Sequence, residues 1–364
     1  MATTMKDVAR RAGVDVSTVS LAINNDPRIR QETRERILVI AKELGYQRNH
    51  LARGLRSGKS FTIGAVVGYS TAFWGEVLAG AQSVLAERDY HLMLDYAPDA
   101  ARQEEVQIEA LKAKRVDGLI IAPSDADPQS GADPPIEYYR SLFNEQIPFV
   151  FVDRFVPGLN TDYVAADNFS AARTAARHLV RLGHRRIAYL YAPHRMSTSQ
   201  RERLEGYESV MREMGLRSLP WEVARPRPLP RQEGLEAMRE LLADKAGEGV
   251  TAVLASSDSF AMGALRALHD ANRAVPGDIA LMGFDGAEAG EYLEPPLTTM
   301  TLPMRAIGEQ AARLLLARIE GDTSPFRHIL LPAALTVRAS CGGAAASPAG
   351  KGAVAGLRQP GTPA

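Results

Sequence analysis

The sequence has little cysteine and no long hydrophobic run. Its 364 residues contain one cysteine, Cys341, which excludes an internal disulfide and a cysteine-based metal site and is typical of a reducing compartment. No stretch reaches the roughly eighteen consecutive apolar residues of a membrane span. The first residues include no apolar segment of signal-peptide length. We therefore expect a cytoplasmic protein that makes no membrane contact.

The usual catalytic patterns are also missing. The seven histidines show no His-Glu-x-x-His spacing, and the chain contains neither a Gly-x-Ser-x-Gly turn nor a Gly-x-Gly-x-x-Gly loop. Residues 54–60 resemble a phosphate-binding loop, but three residues separate their glycines where that loop needs four, and no strand precedes them. We predict a protein that is not an enzyme, with no catalytic residue, no metal and no cofactor.

Charge is balanced overall but unevenly distributed. The chain carries 43 basic and 43 acidic side chains, and residues 1–60 hold twelve of the basic and six of the acidic ones. The first sixty residues therefore have a net charge of +6, and the remainder has a net charge of −6. A basic segment at one end of a neutral protein indicates contact with nucleic-acid phosphates at that end.

Three short helices, with a tight break between the first two, are predicted in the basic segment. Thr4 and Asp7 form the pattern of a capping box at the start of the first helix. Gly13 permits the positive φ that ends this helix, and Asp15 suits the N-cap of the second. A break of this length is typical of helix-turn-helix units.

The second helix, which begins near Val16, has an unusual outer face. If Val19 and Ile23 pack inward at helical spacing, Val16, Ser17 and Leu21 must point outward. These three residues are either a small exposed apolar patch or a surface that reads bases, where apolar groups meet thymine methyls and serine bonds a base edge. The basic charge and the helix-turn-helix break favour base reading in the major groove.

The basic segment resembles the head of the lactose-repressor (LacI/GalR) family of transcriptional regulators. The resemblance lies in five runs, at positions 6–14, 17–20, 23–24, 33–34 and 44–46. It implies base reading by Val16, Ser17 and Leu21. It implies phosphate contacts from three further residues, Thr18, Asn24 and Thr33. Many family members have a polar or basic residue in place of Leu21, so this chain lacks a bidentate guanine contact there.

Residues 47–60 are predicted to fold only on a partner. They are too apolar for a linker, and too short and rich in glycine for a stable helix. By the same resemblance they form a hinge helix, in which Leu55 wedges into a base step of the minor groove. A buried linker residue is the alternative for Leu55.

From residue 61 onwards, apolar runs of strand length alternate with helical segments, which indicates parallel sheets covered on both faces. The predicted strands are 61–67, 91–96, 116–122, 148–153, 163–166, 186–191, 250–255 and 279–284. The predicted helices are 74–87, 101–112, 135–145, 168–182, 200–214, 232–242 and 258–269. Two such series predict two doubly wound α/β lobes.

The resemblance to the same family extends over this region. It lies in the runs 115–120, 182–187, 203–207, 258–264 and 283–285, and it implies a core like the periplasmic binding proteins. We therefore expect an all-α helix-turn-helix head joined to a two-lobed α/β core. The expected segments are the head 1–46, the hinge 47–60, an N-terminal lobe 61–165 plus about 302–328, a C-terminal lobe 166–301 plus about 329–341, and a disordered tail 342–364.

A ligand cleft is expected at the strand exits, the residues that directly follow the strands, because ligands of open parallel sheets bind there. By the resemblance, the effector contacts are Phe73, Trp74, Ser124, Asp153, Arg154, Ser199, Arg203 and Asp285. The two aromatic residues suit a buried core equally well, and pairing with a protein carboxylate is an alternative for Arg203. Asp258 is expected to cap a helix instead of binding ligand, and for Asp167 both roles stay open.

These patterns together predict a ligand-controlled DNA-binding regulator, a repressor by resemblance. One head makes few contacts, so we expect a homodimer on a palindromic operator; a tetramer stays open, although the tail has no heptad pattern. The expected effector is a sugar or sugar derivative, with a nucleobase as the alternative. A solute-binding protein for uptake would share the lobes but needs an export signal and no basic head. A sugar-modifying enzyme would need paired carboxylates or a phosphate loop.

Overall fold

The computed structural model describes residues 3–23, 25–46, 58–68, 72–97, 101–124, 136–223 and 229–343. Contacts divide the chain into two compact units, a head within Met1–Phe61 and a core within Thr62–Ala364. The predictions for Asn24 and Leu55, most of the hinge segment and most of the tail lie outside the described residues. Among the helices of the described ranges, none is long and apolar enough to cross a membrane.

The described part of the head contains three helices, α1 (Met5–Ala12), α2 (Val16–Ile23) and α3 (Gln31–Glu43). The predicted capping box is present, because the Thr4 backbone N–H donates to the Asp7 carboxylate at 3.0 Å and the two residues bond reciprocally. Helix α1 ends at Gly13, whose φ is 65°. Both local predictions for the first helix are therefore confirmed.

A small apolar core holds the three helices of the head together. Its buried members come from every helix: Val8, Ala9, Ala12, Val19, Ala22, Ile37 and Ala41. Val19 is fully buried and Ile23 is half-buried against this core, as the helical spacing predicted. Because these side chains turn inward, the opposite face of α2 lies on the surface.

Two six-stranded sheets form the core of the second unit. Their strands are β1 (Thr62–Val67), β2 (His91–Tyr96), β3 (Gly118–Ile121), β4 (Phe149–Val152), β5 (Tyr163–Ala166), β6 (Ile187–Tyr191), β7 (Leu219–Glu222), β8 (Ala252–Ala255), β9 (Ala280–Asp285), β10 (Thr298–Thr301), β11 (His328–Leu331) and β12 (Ala334–Thr336). The first sheet has the order β11-β5-β4-β3-β1-β2, and the second has the order β12-β10-β9-β8-β6-β7. The two lobes therefore share one strand order, in which β4 of the first lobe corresponds to β9 of the second.

Helices lie between the strands, and each of them except the last, Met304–Ile319, corresponds to a predicted helix. They are α4 (Ala72–Ala86), α5 (Ala101–Ala113), α6 (Ile136–Asn144), α7 (Asn168–Arg181), α8 (Thr198–Glu213), α9 (Pro230–Ala243), α10 (Asp258–Asp270) and α11 (Met304–Ile319). The pairings within each sheet are parallel except for the antiparallel pair β10 and β12. Long interior strands such as β1 and β9 are almost completely buried, which explains their continuous apolar sequences.

The chain passes between the lobes three times. Helix α7 follows β5 of the first lobe but packs on α8 and β10, whereas α11 follows β10 of the second lobe but packs on α4 and β4. The last passage separates β11, which pairs with β5, from β12, which pairs with β10. The predicted lobe boundary at about 328/329 is wrong, because Ile329, Leu330 and Leu331 pair with β5 and belong to the first lobe.

Glycines allow the covering helices to approach closely. A Cβ atom on Gly308 of α11 would lie 1.8 Å from the Val77 carbonyl oxygen, and one on Gly80 of α4 would lie 2.0 Å from the Arg305 carbonyl oxygen. The α9–α10 pair of the second lobe makes the same kind of contact at Gly234. At these positions an added Cβ atom would collide with backbone atoms of the neighbouring helix, which cannot move aside as a side chain can. These positions therefore require glycine.

Gly308→Ala should destabilise the core by about 1–3 kcal/mol or more, because the added methyl group forces α4 and α11 apart. Urea unfolding followed by circular dichroism measures this loss. Gly75→Ala on α4 is the matched control: nothing lies within 4 Å of its Cβ position, and alanine is the better helix former by up to about 1 kcal/mol. A Gly308→Ala protein as stable as the control would contradict the close approach.

Candidate functional site

The outer face of α2 is accessible in the head. Val16 is 40% exposed, Ser17 is exposed and Leu21 is half-buried, and all three lie outside the head's apolar core. Thr18 and Thr33 are half-buried. The described residues that are predicted to contact DNA are therefore at least partly accessible on the surface of the head.

In the core, two strand exits that correspond between the lobes both hold an aspartate. Asp153 follows β4 and has a φ of 68°, and Asp285 ends β9 and has a φ of 109°. Positive φ is uncommon outside glycine, and a sparsely populated backbone conformation costs of order 1–3 kcal/mol. The surrounding contacts must therefore hold each carboxylate in place.

Side chains from the two exits converge between the lobes. The Phe155 N–H donates to Thr198 Oγ1 at 3.1 Å and ties the exit of β4 to the start of α8. Burial raises the pKa of Asp153, while the charges of Arg154 and Arg203 oppose that rise. Burial also raises the pKa of Asp285 to about 6, against the charge of Arg203 and with a contribution from Asp153. The carboxylates of both lobes therefore act on one another and on one guanidinium.

Arg203 is the central cation of this cleft and is only 2% exposed. Its Nε donates to Asn168 Oδ1 at 2.8 Å, and its Nη1 donates to the Ser256 carbonyl oxygen at 2.8 Å and to Asp285 Oδ1 at 3.1 Å. The guanidinium lies 4.6 Å from the centre of the Phe284 ring. The alternative of a protein carboxylate as partner is therefore confirmed for Arg203.

The expectation that Asp258 caps a helix is wrong. The N-cap of α10 is the neighbouring Ser257, whose Oγ accepts from the Phe260 N–H at 3.2 Å. The Asp258 carboxylate instead accepts from the backbone N–H groups of the two residues after Asp285, at 2.8 and 2.6 Å, and from Thr299 Oγ1 at 2.7 Å. Asp258 thus stabilises the turn that presents Asp285.

Asp167 does act as a cap, because its carboxylate accepts from the Ser170 N–H at 2.9 Å at the start of α7. Near it lies a further carboxylate that the sequence did not reveal. Burial raises the pKa of Glu202 to about 7, with contributions from Asp167, Glu205 and Asp153. The cleft therefore holds more acidic groups than the predicted set contained.

The first-lobe wall of the cleft is organised by a buried glutamate. Glu104 is 1% exposed, and its carboxylate accepts from the Ser124 N–H at 2.6 Å and from the hydroxyl groups of Ser124 and Tyr139. Burial raises the pKa of Glu104 against these hydrogen bonds. Ser124 is therefore held by Glu104, which was not among the predicted residues.

The remaining predicted contacts are mostly buried. Trp74 is 5% exposed and meets the half-buried Phe73 edge to face, with ring centres 4.8 Å apart. Ser199 is 3% exposed, and its hydroxyl shares a 2.8 Å hydrogen bond with Ser197. Burial of Trp74 fits the core alternative, whereas Phe73 keeps an accessible part. No cluster of three or more possible metal ligands occurs in the described ranges of the chain.

Known proteins match this chain over both units. Residues 4–49 match the bacterial regulatory proteins of the lacI family, and residues 176–341 match the periplasmic binding protein-like domain. The HTH-type transcriptional repressor CytR of Escherichia coli strain K12 is 32% identical over 340 residues, which cover 93% of this chain and 96% of the relative. The chain belongs to the LacI family of bacterial regulatory proteins. The predicted family is confirmed.

Two solved structures extend the likeness of this LacI-family chain. The lac repressor dimer bound to operator and the anti-inducer ONPF is 26% identical with a TM-score of 0.75, over 94% of this chain and 99% of that one. The complex of the regulator CelR with cellobiose is 30% identical with a TM-score of 0.66, over 93% of this chain and 99% of that one. The predicted helix-turn-helix head and two-lobed core are confirmed, and the chain is a DNA-binding transcriptional regulator.

Asp258→Asn should make the stability of the core less dependent on pH. Burial, with the charge of Asp285, raises the pKa of Asp258 from 3.8 to about 7. Between these values the folded core binds a proton that the unfolded chain has released, so wild-type stability falls as the pH rises through this window. Asparagine keeps the shape of the side chain and removes that titration. The melting temperature of the variant, relative to that of the wild type, should therefore rise between pH 4.5 and pH 8.

Asp270→Asn is the matched control for this pH series. Hydrogen bonds from Arg266 and Arg239 lower the pKa of Asp270, so its titration lies below the window and its loss should leave the slope above pH 5 unchanged. Parallel melting curves for wild type and Asp258→Asn across the window would contradict the assignment.

Proposed function

We propose that two heads of a homodimer of this regulator read a palindromic operator, and that a neutral saccharide bound between the lobes controls operator affinity. The observation that carries the effector class is the pairing of both cleft arginines with carboxylates. Repression is the expected outcome of operator binding, in line with relatives such as the repressor CytR. The roles of individual residues are part of this proposal.

Several features of the head support operator reading. The start of α2 exposes Val16 and Ser17, and residues 1–60 have a net charge of +6. In helix-turn-helix proteins this end of the second helix reaches base edges, while phosphate contacts fix its register. Thr18, Asn24 and Thr33 are proposed for the phosphates, and Leu55 for the minor-groove wedge. A dimer doubles these contacts and raises the effective affinity.

Charge in the cleft supports a neutral effector. Arg154 Nε lies 3.6 Å from Asp153, and Arg203 is paired with Asp285. Burial and the charges of nearby carboxylates, chiefly Asp167, raise the pKa of Glu202, so it adds a further acidic group. These carboxylates would repel the negative charge of a phosphorylated or acidic sugar. Both arginines are already paired with carboxylates, so neither can compensate for that charge. The hydroxyl groups of a neutral sugar can instead donate to Asp153 and Asp285.

A saccharide held by both aspartates would bridge the lobes. Asp153 belongs to the first lobe and Asp285 to the second, so a ligand that bonds both distinguishes a closed from an open arrangement. Only such a difference in affinity allows a ligand to shift the lobes. The similar regulator CelR was solved in complex with cellobiose, a neutral disaccharide, which supports this class of ligand. A nucleobase-type effector is the alternative chemistry.

Val16→Ala should lower affinity for the specific operator by roughly ten- to a hundredfold, because each of the two heads withdraws two methyl groups worth about 0.8 kcal/mol each from the interface. Fluorescence anisotropy on a site selected from a randomised palindromic library measures this change. Val39→Ala is the matched control, since Val39 lies on α3 and is 56% exposed. Equal losses for both variants, or equal losses on nonspecific DNA, would contradict base reading by α2.

Asp285→Ala should abolish the effect of the effector on operator affinity while operator binding without effector survives. Calorimetric titration of neutral sugars, sugar phosphates and nucleosides first identifies the ligand, and operator titrations with and without it follow. Asp270→Ala, which removes an exposed carboxylate on α10, should leave the response intact. Tight binding of a sugar phosphate, or a response that persists in Asp285→Ala, would refute the proposed cleft.

A further inference from the structure

Three arginines line a cavity at the amino-terminal edge of the second-lobe sheet. The cavity has a volume of about 140 Å³ and is bounded by Arg185, Arg186, Arg217 and Leu219. The first two directly precede β6, and Arg217 lies two residues before β7. Because β6 and β7 pair in parallel, the amino ends of the two strands are neighbours. The effector cleft lies at the opposite, carboxyl ends of these strands.

Backbone carbonyl oxygens hold two of the three guanidinium groups. Arg185 Nη1 donates to the carbonyl oxygens of Val180 and His184 at 2.9 and 3.1 Å, and Arg186 Nη2 donates to the Ala246 carbonyl oxygen at 2.5 Å. These bonds orient two of the three groups through backbone acceptors. Their remaining N–H donors are left for other partners.

Acceptors for those donors are missing from the described part of the chain. The Nε of Arg186 is buried there without a hydrogen-bond partner, and Arg217 is exposed. None of the three is among the second-lobe arginines that form ion pairs within the described ranges. Arg185 and Arg217 are both exposed, so their remaining N–H donors lie at the cavity with no carboxylate partner among the described residues.

Arginine makes this cluster different from a group of lysines. A guanidinium stays protonated at any physiological pH, so the cluster cannot relieve its mutual repulsion by losing a proton. An anion relieves it directly, and the planar fork of arginine matches the oxygens of a phosphate in bidentate geometry. The cavity volume is several times the roughly 10–15 Å³ that one water molecule requires, so a tetrahedral oxyanion fits in it.

We propose that this cavity is a second ligand site, which binds a phosphate group. The cleft differs from this cavity, because each arginine of the cleft is paired with a carboxylate and a neutral ligand fits there. The group is either inorganic phosphate or the phosphoryl group of a small metabolite, since both present the same oxygens. The site does not depend on the effector assigned to the cleft.

Calorimetric titration of the full-length protein with inorganic phosphate, against chloride at equal ionic strength, tests the site. We expect saturable phosphate binding that chloride does not reproduce. Arg217→Gln should weaken it by about tenfold or more, because a charge-assisted contact is lost. Arg217 is exposed and donates no described hydrogen bond, so this variant should fold normally. Arg185→Gln should weaken binding in the same direction.

A control variant separates the site from general charge effects. Arg212→Gln removes an exposed arginine near the end of α8 that does not line the cavity. It should bind phosphate as the wild type does. Tighter binding of glucose 6-phosphate than of inorganic phosphate identifies a phosphorylated metabolite as the ligand, and weaker binding identifies inorganic phosphate. Phosphate that binds no better than chloride, or equal effects of Arg217→Gln and Arg212→Gln, would overturn the proposal.

Discussion

The pairing of the buried Arg203 with the half-buried Asp285 is the interaction on which the proposed effector cleft depends. One guanidinium joins the start of α7 through Asn168, the exit of β8 through the Ser256 carbonyl and the exit of β9 through Asp285. A charge so far from water needs a partner, and removal of one partner leaves the other costly to bury. Arg203 therefore both orders the strand exits of the second lobe and fixes the charge that a ligand meets.

The shared strand order explains why the two lobes present equivalent carboxylates. Asp153 and Asp285 follow corresponding strands and both have positive φ. Their supports differ: Asp153 has Arg154 at 3.6 Å, whereas Asp285 has Arg203 and a turn held by the Asp258 carboxylate. One edge of the second-lobe sheet holds neutralised carboxylates, and the other holds arginines that form no ion pair within the described ranges. One edge of this lobe therefore suits a neutral ligand, and the opposite edge suits an anion.

The head and the long interior strands were predictable because their signals are local. The capping box of Thr4 and Asp7, the positive φ of Gly13 and the apolar runs of β1 and β9 each depend on neighbours in sequence. The elements that were not predicted are β7, β10, β11, β12 and α11. In β7, Pro220 interrupts the strand, and its residues are at most half-buried at an edge. The partners of Arg203, the anchoring of Ser124 by Glu104 and the contact of Asp258 with the turn after Asp285 were not predictable, since each joins residues at least 20 positions apart. The lobe boundary was misplaced for the same reason, because β11 is assigned to the first lobe only by its pairing with β5, which is distant in sequence.

A double-mutant cycle of Arg203→Met and Asp285→Asn, measured as the free energy of unfolding of the core, tests the central pairing most directly. If the two charges neutralise each other in the cleft, Arg203→Met leaves a half-buried carboxylate without its partner, and Asp285→Asn leaves a buried guanidinium without its partner. The double variant should then be more stable than the sum of the two single losses predicts, with a coupling free energy of roughly 1–3 kcal/mol. Losses that simply add would show that Arg203 and Asp285 act independently, and would contradict a cleft whose cation is already paired.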